Sequence, residues 1–171
     1  SIPEKELSDL TTLATMMCGA GSAAIAVQNG LYYQLVAWQD QRTEAGNIPA
    51  NAMIVPTGES KTFNVPDLGA KSVSGDIRRY LPDNTSALAG VAIEDANGRT
   101  VGYLLVLWPE EHSITDDQIT ALGLLSSQIS NLLRLHYAAR SSIISNALHS
   151  EEMMKIIFQK AIDAVVVTDS N

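Results

Sequence analysis

The sequence predicts an α+β domain, in which an antiparallel sheet of five to six strands carries helices on both faces and is followed by a long C-terminal helix. Two pairs of strand-like segments predict the sheet, because each pair is joined by a turn that ends in Asn-Gly. The long helix is predicted by residues typical of a helix start, which are followed by a region without proline.

The N-terminal segment predicts an amphipathic helix. Ser1 and Glu4 have the spacing of a capping box, and Gly19 and Gly21 are typical of a helix end. Apolar residues recur at steps of three and four, which places them on one face: Leu7, Leu10, Leu13, Ala14 and Met17.

The first strand pair, at residues 23–28 and 31–39, predicts a hairpin. Asn29-Gly30 separates the two segments. Asn-Gly is the preferred dipeptide of a two-residue type I′ turn, because both turn residues need a positive φ. A tight antiparallel hairpin is therefore expected immediately after the first helix.

Residues 40–86 form a variable middle segment, with a short strand predicted at 60–65 and a short helix at 74–81. A second hairpin follows, with strands at 87–94 and 100–108. Its second arm is apolar on both faces, which is typical of a central strand that is covered on both sides. We expect the two main helices on one face of the sheet and the middle segment on the other.

The long helix has a well-defined predicted start. Thr115 and Gln118 form a capping box, and Ile114 and Ile119 occupy the positions of a hydrophobic staple. The helical pattern then continues to about Leu148.

The apolar pattern of this helix predicts a homodimer. The first half carries enough apolar residues to cover a sheet, whereas the second half narrows to one stripe, for which a second copy in a parallel dimer is the simplest partner. His136 on this stripe is a pH sensor, a phosphoacceptor or a residue that only weakens the seam, and the last is the simplest interpretation. The residues assigned to the dimer helix are spaced alternately by three and four: Leu125, Ile129, Leu132, His136, Ala139 and Ile143.

The composition disfavours several classes of partner. Eleven Lys and Arg against 19 Asp and Glu give a net charge of −8 and a pI near 4.7, which disfavours nucleic acid and anionic membranes. No apolar run could span a bilayer, and no secretory signal opens the sequence. The single cysteine, Cys18, excludes an internal disulfide and a zinc site built on several thiolates. We therefore expect the protein to be located in the reducing cytoplasm.

The sequence contains no recognisable catalytic pattern. A G-x-G-x-x-A match at residues 19–24 follows a helix and opens a strand, whereas a dinucleotide site needs the opposite order. The histidines lack carboxylates at metal-ligand spacing. Cys18 is interpreted as a small buried hydrophobe, with a redox or covalent-cofactor role as the alternative. We predict a protein without catalytic or metal-binding residues, and the sequence leaves any cofactor unknown.

Polar and aromatic residues are the candidate ligand contacts. Asp76, Arg78 and Tyr80 lie on or beside the predicted short helix, where a guanidinium and a phenol suit an anion or a nucleobase. The alternatives are a solvated helix face and aromatic side chains of an ordinary core. Aromatic residues of the predicted strands are expected to line the same pocket: Tyr33, Trp38 and Tyr103.

Residues 4–135 resemble the GAF family of small-molecule sensor domains in the order helix, hairpin, variable middle, hairpin, long helix. The most specific match joins Leu-Ala-Gly-Val-Ala-Ile at 88–93 to the segment Gly-Arg-Thr-Val-Gly-Tyr that begins at Gly98. The Asn-Val-Pro-Asp-Leu stretch at 64–68 and the helix start at 114–129 also match. Further along, Asp-Ala-Val-Val-Val before a second Asp resembles the opening of a PAS domain.

These resemblances imply a GAF-like sensor domain at 1–135, a signalling helix or coiled-coil linker at 136–150 and the truncated start of a PAS domain at 151–171. This order is similar to the sensory half of bacterial histidine kinases or cyclic-di-GMP enzymes. It implies a non-catalytic domain that binds an unknown small molecule and signals through a dimeric helix. Bilin-binding GAF domains carry a cysteine late in the domain, whereas Cys18 lies early. A ligand-free dimerisation spacer and a small enzyme on this fold are the alternatives.

Overall fold

The computed structural model describes residues 4–38, 47–56, 59–69 and 77–136. Helix α1 spans Glu4–Cys18, and residues 116–136 belong to a second helix, α2. Short 3-10 helices lie at Ala50–Ala52 and Ile77–Tyr80. The strands are β1 Ser22–Asn29, β2 Tyr32–Trp38, β3 Asn47–Pro49, β4 Thr62–Val65, β5 Ala87–Glu94 and β6 Thr100–Trp108.

The six strands form one antiparallel sheet in the order β3-β2-β1-β6-β5-β4, which confirms the predicted fold class. Both predicted hairpins are present, because β1 pairs with β2 and β5 pairs with β6. The turn glycines Gly30 and Gly98 have φ angles of 64° and 79°, in the left-handed region that favours glycine.

Strand β6 is the centre of the sheet, as its two apolar faces predict. It pairs with β1 on one side and β5 on the other, and residues 102–108 are all buried. Leu104 and Val106 enter one core, whereas Tyr103 and Leu105 enter the other. Both faces of the sheet must therefore be covered by other parts of the chain.

Both long helices pack on one face of the sheet, which we call the helix face. Leu7, Ala14 and Cys18 of α1 share its core with the β6 residues Leu104 and Val106, and this placement of the helices was predicted. Helix α2 contributes four buried residues to the same core: Leu122, Leu125, Ile129 and Leu133.

Part of the stripe assigned to the dimer helix lies inside this core. Leu125 is 7% exposed and Ile129 is 0% exposed. Burial against their own sheet accounts for the apolar pattern here, so a partner helix would have to contact other side chains. Leu132 packs against the helix face, and His136 is half-buried. Two members of the assignment lie outside the described residues: Ala139 and Ile143.

Helix α2 begins at the predicted capping box. The Gln118 N–H donates to Thr115 Oγ1 over 3.1 Å, and the Thr115 N–H donates to Gln118 Oε1 over 3.0 Å. Gln118 Nε2 also donates to the Cys18 carbonyl at the end of α1 over 3.1 Å. The indole of Trp108 donates to that carbonyl over the same distance, 3.1 Å. One glutamine thus ties the start of α2 to the end of α1.

Two serines of α2 bind the edge of β5. Ser126 Oγ donates to the Ala92 carbonyl over 2.6 Å, and Ser130 Oγ donates to the Glu94 carbonyl over 2.5 Å. The Ala92 N–H bonds to the Lys61 carbonyl, immediately before β4 begins. The two serine hydroxyl groups therefore donate to β5 carbonyls that backbone N–H groups of a longer β4 would otherwise have paired with. These bonds attach α2 directly to the sheet.

Replacing Gln118 with leucine is expected to lower the free energy of unfolding by about 1–3 kcal/mol, because it removes half of the capping box and the bond to Cys18. Urea denaturation measures the change. Gln128→Leu is the control, since Gln128 is exposed on the same helix. Equal losses in the two variants would contradict the role of Gln118.

Candidate functional site

The second face of the sheet, which we call the aromatic face, is covered by the middle of the chain. The strands present small residues beside large ones, with Ala24 and Ala26 next to Tyr33 and Tyr103. This cover agrees with the position predicted for the middle segment, over the part of it that the structure describes. Ile48 of β3, the partner of Tyr33, belongs to the same core. The residues that cover the face come from the 3-10 helices and from turns: Ala52, Met53, Leu68, Ile77 and Leu81.

A β-bulge decides which residues of β2 reach the aromatic face. Ile25 pairs with Ala37 and Ala26 pairs with Leu35, so Val36 is the extra residue. Val36 and Ala37 both contact the helix-face core. The register change places Trp38 on the aromatic face, whereas regular alternation from Tyr33 would have turned it to the helices.

Three aromatic rings meet on this face. The ring centroids of Tyr33 and Tyr103 lie 5.7 Å apart, and those of Phe63 and Tyr103 lie 5.8 Å apart in an edge-to-face arrangement. Phe63 lies across Gly90, its partner on β5, where a Cβ atom would be 2.6 Å from the ring. Phe63 was not among the predicted contacts. The indication in the sequence was an aromatic residue on a predicted strand, followed by a predicted strand that contains glycine.

Burial keeps both phenols neutral. Burial, together with the neighbouring Tyr33, raises the pKa of Tyr103 to about 12. Burial also raises the pKa of Tyr33, while hydrogen bonding from Tyr103 partly offsets that rise. At physiological pH the aromatic face therefore offers ring surfaces and neutral hydroxyl groups, and it carries no phenolate.

Trp38 brings a buried indole N–H donor to this face. Its side chain is half-buried against the aromatic-face core, and its Nε1 atom is buried. This N–H has no hydrogen-bond partner among the residues that the structure describes. Buried polar groups are usually paired, so an indole N–H of this kind is suited to an acceptor on a bound molecule.

The other predicted ligand contacts lie elsewhere. Arg78 and Tyr80 sit on the second 3-10 helix and are exposed, while Ile77 of the same turn is buried. Arg78 Nη1 is near the turn at Gly69, where a Cβ atom would lie 3.8 Å from it. The structure thus places Trp38 and Tyr103 on one face and leaves Arg78 and Tyr80 at the surface. One further predicted contact lies outside the described residues: Asp76.

Cys18 has the environment of a core residue. It is 1% exposed in the helix-face core, and burial raises the pKa of its thiol to about 11. Within the described ranges, no three His, Cys, Asp or Glu residues are grouped as metal ligands. No helix in those ranges is both long and apolar enough to cross a membrane.

The comparisons with known proteins come from structure alone. No protein-family model and no curated protein match the sequence. A domain described as part of a two-component sensor histidine kinase from Sinorhizobium meliloti has a TM-score of 0.63 and 16% identity, covering 81% of this chain and 97% of that one.

Two further structures are similar to this chain. The GAF domain of PixJ from Thermosynechococcus elongatus, in its blue-light absorbing form, has a TM-score of 0.63 and 14% identity, covering 83% of this chain and 90% of that one. A type II free methionine-R-sulfoxide reductase from Thermoplasma acidophilum has a TM-score of 0.62 and 11% identity, covering 75% of this chain and 90% of that one. The chain therefore has a GAF-like fold, which confirms the fold that the resemblance implied.

Gly90→Ala is expected to lower the free energy of unfolding by about 1–3 kcal/mol, because the new methyl group meets the Phe63 ring. Chemical denaturation checks the value. Adding Phe63→Leu should recover part of the loss, since the shorter side chain frees the space. Gly123→Ala is the control: this helical glycine has open space around it, so alanine should stabilise the chain by about 0.5–1 kcal/mol. Destabilisation by both substitutions would contradict the packing argument.

The thiol of Cys18 is expected to resist Ellman's reagent in the folded chain at pH 8. With a pKa of about 11 in the folded state, roughly one thiol in a thousand is ionised there, and burial blocks the reagent. Denaturant should release one equivalent of reactive thiol. A thiol that reacts at the same rate with and without denaturant would refute the burial.

Proposed function

We propose that this chain is a non-catalytic sensory domain that binds a small molecule on the aromatic face and transmits its presence through α2. The observation that carries the proposal is the buried indole N–H of Trp38, which has no partner among the described residues and stands on the face that holds Tyr33, Tyr103 and Phe63. A ligand that accepts this hydrogen bond removes the cost of a buried unpaired donor.

The chemistry of the face favours a planar, uncharged ligand with an acceptor at its edge. Ring surfaces at centroid distances of 5.7 and 5.8 Å provide contacts for a flat molecule. The two phenols are neutral, and Arg78 is exposed at the surface instead of standing on the face. The ligand is held without a covalent bond to cysteine, because Cys18 lies in the core of the opposite face.

Occupancy of the aromatic face can reach α2 through strand β5. Phe63 packs on Gly90 of β5, and two carbonyls further along the same edge accept hydrogen bonds from Ser126 and Ser130. A ligand that moves Phe63 changes the position of β4 against β5, and thereby the strand to which α2 is attached. A ligand with different affinities for two such arrangements shifts their populations, and 1–3 kcal/mol is typical of such coupling.

Downstream, we propose a parallel homodimer formed by the predicted stripe from Leu132 onward, which includes His136, Ala139 and Ile143. Residues 136–150 would link this dimer to a PAS domain that begins at 151–171 and to an output domain of the histidine kinase or cyclic-di-GMP class. A cytoplasmic bacterial protein of this kind agrees with the acidic composition. The sensor kinase domain and the light-absorbing GAF domain of the same fold support the sensory role.

Two alternatives have specific observations in their favour. The aromatic face is partly filled by its own rings, which favours a ligand-free dimerisation spacer. The similarity to a free methionine-R-sulfoxide reductase favours an enzyme. An enzyme that used a thiol would need a reactive cysteine, however, and burial raises the pKa of Cys18 to about 11.

Native mass spectrometry of the purified chain is expected to show a bound small molecule, and the indole N–H resonance of Trp38 should shift when that molecule is removed. Trp38→Phe should weaken its binding by roughly threefold to tenfold, the loss of one hydrogen bond. Trp108 is the internal control, since its indole already donates to Cys18 and should not respond. The spacer would be supported instead if the chain carried no bound molecule and the Trp38 indole resonance did not shift when planar heteroaromatic fragments were added.

A further inference from the structure

A polar groove of about 370 Å³ lies away from the aromatic rings, between α2 and the edge of the sheet. We call it the edge groove. This volume is at the lower end of the range for small-molecule sites. Its polar wall comes from the start of β4, the end of β5 and the exposed side of α2: Lys61, Thr62, Glu94, Asp95, Asn131 and Arg134.

The charges of the edge groove balance. Lys61 and Arg134 are cationic, while Glu94 and Asp95 are anionic. Lys61 Nζ lies 3.4 Å from Glu94 Oε2, and the Arg134 guanidinium donates to the Asn131 side chain. The groove therefore carries both signs within one small volume, in a chain whose overall charge is −8.

Asp95 is held in its ionised form by its own turn. Its Oδ1 atom accepts the N–H groups of Asn97 and Arg99 over 2.8 and 2.9 Å. Both bonds use the same oxygen, so Oδ2 stays available to a ligand. The turn of the second hairpin thus supplies a fixed negative group at the mouth of the groove.

The floor of the groove is apolar and small. Val91 and Ile119 provide aliphatic surface, and Gly123 leaves open space because no atom lies within 4 Å of a Cβ placed there. Among the described residues that line the groove, none is aromatic. This lining gives no stacking surface to a nucleobase or a sugar ring. The balance of charges likewise gives no net attraction for a polyanion or a polyamine.

We propose that the edge groove binds a free amino acid as its zwitterion. The ligand carboxylate pairs with Lys61 and Arg134, and its ammonium group pairs with Glu94 and Asp95. Its side chain lies over Val91 and Ile119. On binding, Lys61 exchanges Glu94 for the ligand carboxylate, and Glu94 exchanges Lys61 for the ligand ammonium group. Each charged side chain therefore keeps a partner of opposite charge.

An amino acid in this position bridges the sheet edge and α2. Lys61 precedes β4 and Glu94 ends β5, whereas Asn131 and Arg134 belong to α2. The bridge stands beside the two serine bonds that attach α2 to β5. This second input acts on α2 directly and does not require a ligand on the aromatic face.

The test is a titration of the full chain, labelled with nitrogen-15, with each proteinogenic amino acid in turn. We expect at least one to shift the backbone amides of Glu94, Asp95 and Asn131, with weaker responses to inorganic phosphate, putrescine and glucose. Glu94→Gln and Arg134→Met should each weaken binding by about tenfold, the loss of a charge-assisted bond. The Trp108 indole resonance verifies that the variants are folded.

Lys5→Met is the matched control, because Lys5 forms an exposed pair with Asp9 over 3.1 Å on α1 and should leave binding unchanged. The proposal is overturned if no amino acid moves the groove amides, or if phosphate, putrescine or glucose moves them more. It is also overturned if Glu94→Gln and Arg134→Met bind as the unmodified chain does. A response confined to Trp38 and Tyr103 would overturn it too, and would leave the proposal for the aromatic face standing.

Discussion

The structure depends on the burial of β6 on both of its faces. Seven consecutive residues, 102–108, are buried between β1 and β5, and they send alternate side chains into two separate cores. Exposing either face to water would cost the hydrophobic stabilisation of several large side chains, about 1.5–3 kcal/mol each. Both layers of the domain, the two helices and the irregular middle of the chain, follow from that one requirement.

The two layers differ in how firmly they are attached. On the helix face, hydrogen bonds reinforce the apolar packing. Gln118 at the start of α2 donates to the Cys18 carbonyl at the end of α1, and two serines of α2 donate to carbonyls at the β5 edge. The described cover of the aromatic face consists of short 3-10 helices and turns. Short elements with few backbone hydrogen bonds open more readily than long helices, so the ligand that we propose for this face would meet the less firmly attached layer.

The aromatic face and the edge groove differ in electrostatic character. The aromatic face has neutral phenols and a buried indole N–H, whereas the edge groove beside α2 contains two cations and two anions. Ligands of different chemistry are therefore suited to the two places, and both places contact strand β5. Strand β5 is consequently the part of the sheet through which either ligand could influence α2.

The sequence by itself determined the elements that local physics controls. Asn-Gly turns, the Thr115–Gln118 capping box and the unbroken apolar run of β6 predicted the hairpins, the start of α2 and the central strand, because each depends on neighbouring residues alone. The resemblance of residues 4–135 to the GAF family implied a GAF-like fold, and Tyr103 was expected either to line a ligand pocket or to belong to an ordinary core.

Only the tertiary structure decided which side chains meet. The bulge at Val36 turns Trp38 to the aromatic face, and the Phe63–Gly90 pairing depends on the register between β4 and β5. The apolar spacing of α2 is the same for a helix on a sheet and for a dimer seam, so only packing showed that Leu125 and Ile129 face their own core. These outcomes depend on contacts between residues far apart in the chain, and a pattern of neighbours along the sequence contains no information about them.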